Sequence, residues 1–278
     1  MKKRAYISVF DKEGIIEFAK ELVDKQNYEI VSTGGTFKLL QDNKIAVTEV
    51  SEVTGYPEML HGKVKSLHPE IFGGILADTT NAAEAEEIRI NEVKTFDMVV
   101  VNLYPFEKVA SQTDNVDELI KNIDIGGVSL LRAGAKNYKN VTVVCDKADY
   151  AKVLEGTNEE FRQELALKSF ATTSNYDKII GSKLGEVFGI SSPIKTFSFE
   201  KIQELRYGEN PHQKAGLYSN GSQVDYEILW GKELSYNNIL DITAAVNIIS
   251  EFYDVPAVSI VKHLAPCGVA LGKDILDA

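Results

Sequence analysis

Ser32-Thr33-Gly34-Gly35-Thr36 follows a β-branched run and precedes an apolar-periodic one, which is the order strand, glycine turn, helix. Hydroxyls and first-turn N–H groups in that setting suit anionic oxygens, and the glycines let a ligand approach the backbone. The letters are neither GxGxxG nor a P-loop, which argues against dinucleotides and nucleoside triphosphates. Ser8 and Lys12 end the first apolar run, and parallel strands would bring them to the same edge. In HGKVKSLHP, starting at His61, Lys63 and Lys65 share a side if the segment is extended. Two ammonium groups so placed repel unless an anion lies between them. Asn102 and Tyr104 follow the apolar run MVVVN, and Asp124 precedes Gly126-Gly127 at a helix start, where unobstructed N–H groups suit a developing oxyanion. Asp124 and Lys136 are 12 residues apart, about 18 Å along a straight helix. Both serve one site only if that helix is short or bent, or if Lys136 serves a subunit partner. Taken locally, the same letters also suit a βα turn capped by Thr36, solvated lysines at positions 12, 63 and 65, and a half-buried turn aromatic at Tyr104.

These residues need strand ends to position them. Runs at 5–9, 28–32, 47–50, 98–102 and 141–145 are short and β-branched, with helical periodicity at 14–22 and from Thr36 onward. Strands alternating with helices predict an α/β fold, a parallel sheet wrapped on both faces, with ligands at the carboxyl ends of its strands. Two helices, 159–173 and 175–188, close this first unit. Periodicity stops in GISSPIKTF, at 189–197, so a boundary is placed near residue 195. Beyond it, 205–220 reads as turns, 241–252 as a helix and 257–262 as a strand ending in a loop. That second unit reads as truncated.

Length fits about two domains. Thirty Lys+Arg against 41 Asp+Glu give a net charge of −11, which repels nucleic acid. A small anion needs only a few local cations. No apolar run is long enough for a membrane span, and the start of the chain does not read as a secretory signal. Cys145 and Cys267 form no CxxC pair, and His61 and His68 lack a third ligand, so no metal site is expected and a reducing, cytoplasmic setting fits.

SVFDK, STGGT, HGKVKSLHP, VNLYPF, DIGGVSLLRAGAKN, RYGENPHQ and VKHLAPCG stand in this order along the chain. Together they resemble the family of bifunctional purine biosynthesis proteins, in which an inosine monophosphate (IMP) cyclohydrolase precedes an aminoimidazole carboxamide ribonucleotide (AICAR) transformylase. The resemblance runs from Ser8 to the C-terminus. It implies a methylglyoxal-synthase-like domain over 1–195 and the opening part of a cytidine-deaminase-like transformylase domain over 196–278.

The resemblance further implies a cytoplasmic, homodimeric, nucleotide-binding enzyme that closes the ring of formyl-AICAR to IMP with loss of water. An amide nitrogen is a poor nucleophile, so such an enzyme must hold a near-attack conformer and stabilise an oxyanion. No cofactor is implied for that step. Ser8, Lys12, Ser32, Thr33, Gly34, Gly35, Thr36 and Ser66 would hold phosphate and ribose, and Lys65 would bridge the phosphate side and the reacting base, with Lys63 beside it. Asn102, Gly126 and Gly127 would bind base and oxyanion, and Lys65, Tyr104, Asp124 and Lys136 would form the catalytic group. The resemblance leaves proton shuttling open among these four. An ammonium beside a phosphate stays protonated, which favours Lys65 as stabiliser and Asp124 as base.

In the second half, His263 would deprotonate the amine of AICAR, and Lys262 would stabilise the oxyanion of a formyl group brought by 10-formyltetrahydrofolate. Arg206, Tyr207 and Asn238 would bind AICAR. Ala265 departs from the family pattern, which has Asn before the Pro, and removes a side-chain hydrogen bond there. Most folate-binding residues would lie past Ala278, so the chain by itself is expected not to transfer formyl groups. Two other classes share the first-domain fold: a sensor of phosphorylated metabolites, and methylglyoxal synthase. Sensing does not need the set Lys65, Tyr104, Asp124 and Lys136. A methylglyoxal synthase leaves RYGENPHQ and VKHLAPCG unexplained.

Overall fold

The computed structural model describes residues 2–62, 64–197, 199–221 and 226–278. They divide into two compact units, residues 1–194 and 195–278. In the first, β1 (Lys3–Val9), β2 (Tyr28–Ser32), β3 (Val47–Glu49), β4 (Met98–Asn102) and β5 (Thr142–Val144) form one parallel sheet, in the order β3-β2-β1-β4-β5. The strands read as unbroken apolar runs because both faces are covered: Ala5, Tyr6 and Ile7 on β1 and Met98 to Val101 on β4 are all buried.

Strand order reverses at β1, which pairs with β2 on one side and β4 on the other. Right-handed crossovers then send the helices to opposite faces. Accordingly, helix Ile15–Asp24 packs beside Gly34–Asp42, whereas Pro69–Leu76 packs beside Gly126–Lys136. The α/β expectation holds, and the reversal creates the crevice where ligands of open parallel sheets bind.

Some boundaries differ from those expected. The helix after β2 begins at Gly34, and Val50 opens a helix rather than ending β3. The two helices predicted over 159–188 are one 30-residue helix, Glu159–Phe188. Asn158 caps its start by accepting from Phe161 N at 2.8 Å. Ser174-Asn175 does not break it, because neither residue is Gly or Pro. The hydroxyls of Thr172 and Thr173 fold back onto the carbonyls of Lys168 and Phe170, so both are satisfied within the helix. The segment around Lys65 is a turn, not an extended stretch: Leu67 N bonds Val64 O at 3.2 Å and His68 N bonds Ser66 O at 2.9 Å. Alternation of side chains therefore does not apply there. Lys63 and the side chain of His61 lie outside the described residues.

In the second unit, β6 (Glu200–Leu205) pairs antiparallel with β7 (Ala215–Ser219), where turns alone were expected. Helix Tyr236–Ser250 follows, then β8 (Ala257–Lys262), which pairs antiparallel with β9 (Ala265–Leu271). The loop expected after Lys262 is instead the two-residue turn of a hairpin. Its residues, His263 and Leu264, have φ of 52° and 65°, the left-handed pair that matches strand twist in such turns. Among the described residues, no helix is long and apolar enough to cross a membrane.

Candidate active site

The carboxyl edge of the first sheet gathers two groups of polar side chains. The first surrounds the start of helix Gly34–Asp42. Thr36 Oγ1 accepts from Val9 N at 3.1 Å and donates to Val9 O at 3.0 Å, which locks the first helical turn to the end of β1. Lys12 Nζ donates to the same Thr36 oxygen at 2.7 Å and to Val9 O. Half-burial lowers the pKa of this ammonium, with Asp11 opposing the shift. Ser32 Oγ donates to Ile7 O at 2.6 Å, so it stitches β2 to β1. Ser8 is half-buried on β1.

Lys65 reaches the same helix start from its turn. A Cβ placed on Gly34 would lie 3.6 Å from Lys65 Nζ, and Gly34 holds a left-handed φ of 54°. A Cβ on Gly35 would meet nothing within 4 Å. Thr33 Oγ1 is buried at this N-cap and has no hydrogen-bond partner. An orphan buried hydroxyl, open space at Gly35 and two ammonium groups at one helical turn make a cradle for an anion. Lys65 Nζ is paired with Glu58 Oε2 at 2.9 Å. Lys65 also lines a cleft of about 180 Å³ with Glu49, Tyr56, Glu58 and His68, on the β3 side. Ser66 is buried, and its hydroxyl bonds Tyr6.

The second group lies where β4 ends. Asn102 Oδ1 accepts from Phe10 N at 2.5 Å and Asp11 N at 2.9 Å, and its Nδ2 donates to Asp11 O at 3.0 Å. Its amide is therefore spent on the loop after β1. The ring of Tyr104 lies against Phe10 with centroids 5.2 Å apart. Asp124 is largely buried, accepts from Gly127 N at 2.8 Å, and also accepts from the backbone of Tyr104. Burial raises its pKa; the two N–H groups oppose that shift. A Cβ on Gly127 would fall 2.5 Å from the carboxylate, so only glycine lets Asp124 fold over the helix start. The Gly127 amide is thus committed to Asp124. Consecutive residues join the two groups: Val9 bonds Thr36 and Phe10 bonds Asn102.

Lys136 is not brought to this edge. Helix Gly126–Lys136 runs antiparallel to the strands, unbroken, and its 11 residues cover about 15 Å from first to last. Lys136 is exposed at the far end, next to Asn137, which bonds the carbonyls of Ile75 and Ala77. Three further contributors stand outside the residues expected from the sequence. Tyr176, in the middle of the long helix, accepts from Asp124 N at 2.9 Å and so holds that residue in place. Glu58 and Tyr6 contact Lys65 and Ser66. None of the three belongs to a recognisable motif, so only tertiary contact reveals them.

In the second unit, Arg206 lies over the Tyr207 ring at 4.9 Å, and Tyr207 is hydrogen-bonded to Ser235. The Ser235 and Arg206 hydrogen bonds lower the Tyr207 pKa. Asn238 Oδ1 accepts from Ser235 N at 3.0 Å and Ser235 Oγ at 2.9 Å, a capping box for helix Tyr236–Ser250. Leu264 N donates to Asp241 Oδ1 at 2.9 Å, which ties the turn carrying His263 to that helix. Lys262, His263 and Ala265 are exposed. Among the described residues, no group of His, Cys, Asp and Glu is arranged to hold a metal ion.

The model of the AICARFT/IMPCHase bienzyme family matches residues 134–278, and that of the MGS-like domain matches residues 14–129. The chain is similar to the bifunctional purine biosynthesis protein PurH of Thermoanaerobacter sp. (strain X514), with 47% identity over 290 residues, covering 100% of this chain and 57% of that protein. PurH of Bacillus subtilis (strain 168) is 48% identical over 289 residues, covering 99% of this chain and 56% of that protein. PurH of Bacillus cytotoxicus is 49% identical over 291 residues, covering 100% and 57% respectively. The chain thus spans little more than half the length of these relatives. The crystal structure of ForH superposes with a TM-score of 0.57 at 27% identity, over 68% of this chain and 100% of that one.

Proposed function

The chain belongs to the AICARFT/IMPCHase bienzyme family, and on that premise we propose that its first unit is an IMP cyclohydrolase. The substrate is formyl-AICAR, a ribonucleotide 5′-monophosphate. Its phosphate lies at the start of helix Gly34–Asp42, where Lys12, Lys65, Thr33 and the first-turn N–H groups surround it, with Ser8, Ser32, Thr36 and Ser66 in support. The observation that carries this reading is the convergence of Lys12 and Lys65 on one helical turn beside the orphan Thr33 hydroxyl.

The carboxamide nitrogen attacks the formyl carbon, and Asp124 takes the proton released as the N–C bond forms. The former formyl oxygen gathers negative charge, which Lys65 and the Gly126 N–H stabilise. Asp124 returns its proton to that oxygen, and the resulting hydroxyl leaves as water with the hydrogen of the adjacent N–H as the N=C bond forms, which completes the ring and leaves Asp124 ionised again. Tyr104 closes the base side, and Asn102 serves by holding the Phe10–Asp11 loop. Lys65 acts through its charge rather than as a base.

The second unit is proposed to contribute to formyl transfer from 10-formyltetrahydrofolate to AICAR, with His263 as base, Lys262 on the oxyanion, and Arg206, Tyr207 and Asn238 on the nucleotide. A cytoplasmic homodimer belongs to the same proposal. The test is to add formyl-AICAR and follow IMP by ultraviolet absorbance. Wild type and the 1–194 fragment should both turn over, whereas Lys65→Ala should lose at least about tenfold in kcat/KM. A folded but inactive fragment, or normal turnover by Lys65→Ala, would overturn the assignment.

A further inference from the structure

Tyr6 stands near the middle of β1, fully buried, with its ring edge-on to Phe96 at 5.9 Å. Apolar side chains would suffice for packing there, as they do at Ala5 and Ile7 on either side. A hydroxyl at such depth must be bonded, and the partner is Ser66 Oγ. Ser66 is only 9% exposed, although its turn belongs to no strand. The turn's own backbone bonds are local, Leu67 to Val64 and His68 to Ser66. Among the described side-chain hydrogen bonds, the Tyr6 contact is the one that ties Ser66 to the sheet. Ser66 directly follows Lys65, whose ammonium faces Gly34.

We infer that Tyr6 is a positioning residue: its hydroxyl donates to Ser66 Oγ, fixing the Lys65–Ser66 turn and leaving the Ser66 O–H to be given to a phosphate oxygen. A phenol is a stronger acid than an alkyl alcohol, hence the better donor of the pair. Burial also favours its protonated form, because it raises the cost of a phenolate. Ser66 can accept one hydrogen bond and donate another, which makes it a relay between the core and an anion. This inference rests on the reading of the first unit as a nucleoside-monophosphate site.

The test is calorimetric titration of the 278-residue chain with IMP and with inosine, which lacks the phosphate. Wild type, Tyr6→Phe, Ser66→Ala and the double variant complete the cycle. Tyr6→Phe should weaken IMP by about tenfold and leave inosine unchanged. In the Ser66→Ala background, Tyr6→Phe should have no further effect on IMP. Equal losses for both ligands, additive losses, or no loss in Tyr6→Phe overturn the inference while leaving the phosphate site intact. Wild type that binds IMP no better than inosine overturns the site itself, and the inference with it. Should Tyr6→Phe fail to fold, ¹³C-tyrosine-labelled wild type decides the matter. The Tyr6 Cζ resonance, assigned through Ser66→Ala, should move with IMP and not with inosine; equal response to both overturns the inference.

Discussion

Two opposed effects act on the carboxylate of Asp124. Burial makes its charged form costly, while the N–H groups of Gly127 and Tyr104 stabilise that form; burial is the larger, so the proton is held more tightly than on an exposed aspartate. A base must be ionised to act, so if Asp124 is the base of the proposed cyclohydrolase, the rate should fall on the acid side at a pH above the ordinary aspartate range. For stability the sign is the reverse. Between the unfolded and folded pKa values the folded chain holds the extra proton, so stability is fullest below the unfolded value and is lost as pH rises through the folded one. Asp124→Asn should therefore lower kcat by about 10²–10⁴-fold and abolish the acid limb, while its melting temperature at neutral pH stays equal or rises. A pH–rate profile beside a thermal melt checks both, and near-normal kcat would remove Asp124 from the role of base. Gly35 offers a separate check, because a methyl there meets nothing in the folded chain. Gly35→Ala should melt like wild type yet bind IMP at least about tenfold more weakly by calorimetry, since the methyl would occupy the space proposed for the phosphate.

At the scale of elements, the long helix Glu159–Phe188 matters because it delivers Tyr176 to Asp124. Its middle also packs a small apolar cluster in which Phe106 and Tyr176 meet at 6.2 Å. If 159–188 were two helices, proline at their junction would be tolerated. In a continuous helix it removes a hydrogen bond and clashes with the preceding turn. Ser174→Pro should accordingly destabilise the chain by about 3 kcal/mol or more in urea unfolding, against almost nothing for Ser174→Ala. Equal stability of the two variants would restore the two-helix reading. Asn102 acts on the same scale: one amide joins the end of β4 to the loop after β1, so two neighbouring strands present their ends as one surface.

For the molecule as a whole, a net charge of −11 opposes an anionic substrate at long range. The proposed site overcomes that field locally, with two ammonium groups and a helix start. Salt screens the distant acidic groups and the partly exposed lysine alike, but the direct contacts at close range dominate binding. Raising ionic strength should therefore weaken IMP binding by a few-fold and leave inosine binding unmoved, measured by titration across a salt series. Unchanged IMP affinity would place the nucleotide away from Lys12 and Lys65.

Much of this was legible in the amino-acid order. The spans of β2, β4 and β8 follow from β-branched runs, and the glycine turns marked where backbone is left uncovered at helix starts, because local sterics and periodicity act over a few residues. The hairpin at His263-Leu264 was hidden, since the pair lacks the Asn, Asp or Gly that marks such two-residue turns. The long helix was hidden because polar residues at its centre resemble a break. Lys136 stood in a motif with Asp124, yet helix direction carries it to the opposite end. Conversely, Tyr6, Glu58 and Tyr176 carry no local signature and gain their roles only by meeting Ser66, Lys65 and Asp124 across 60, 7 and 52 positions of chain. Composition and spacing determined which chemistry was available. Only the tertiary structure decided which groups share an edge, because burial and crossover direction are properties of the assembled sheet.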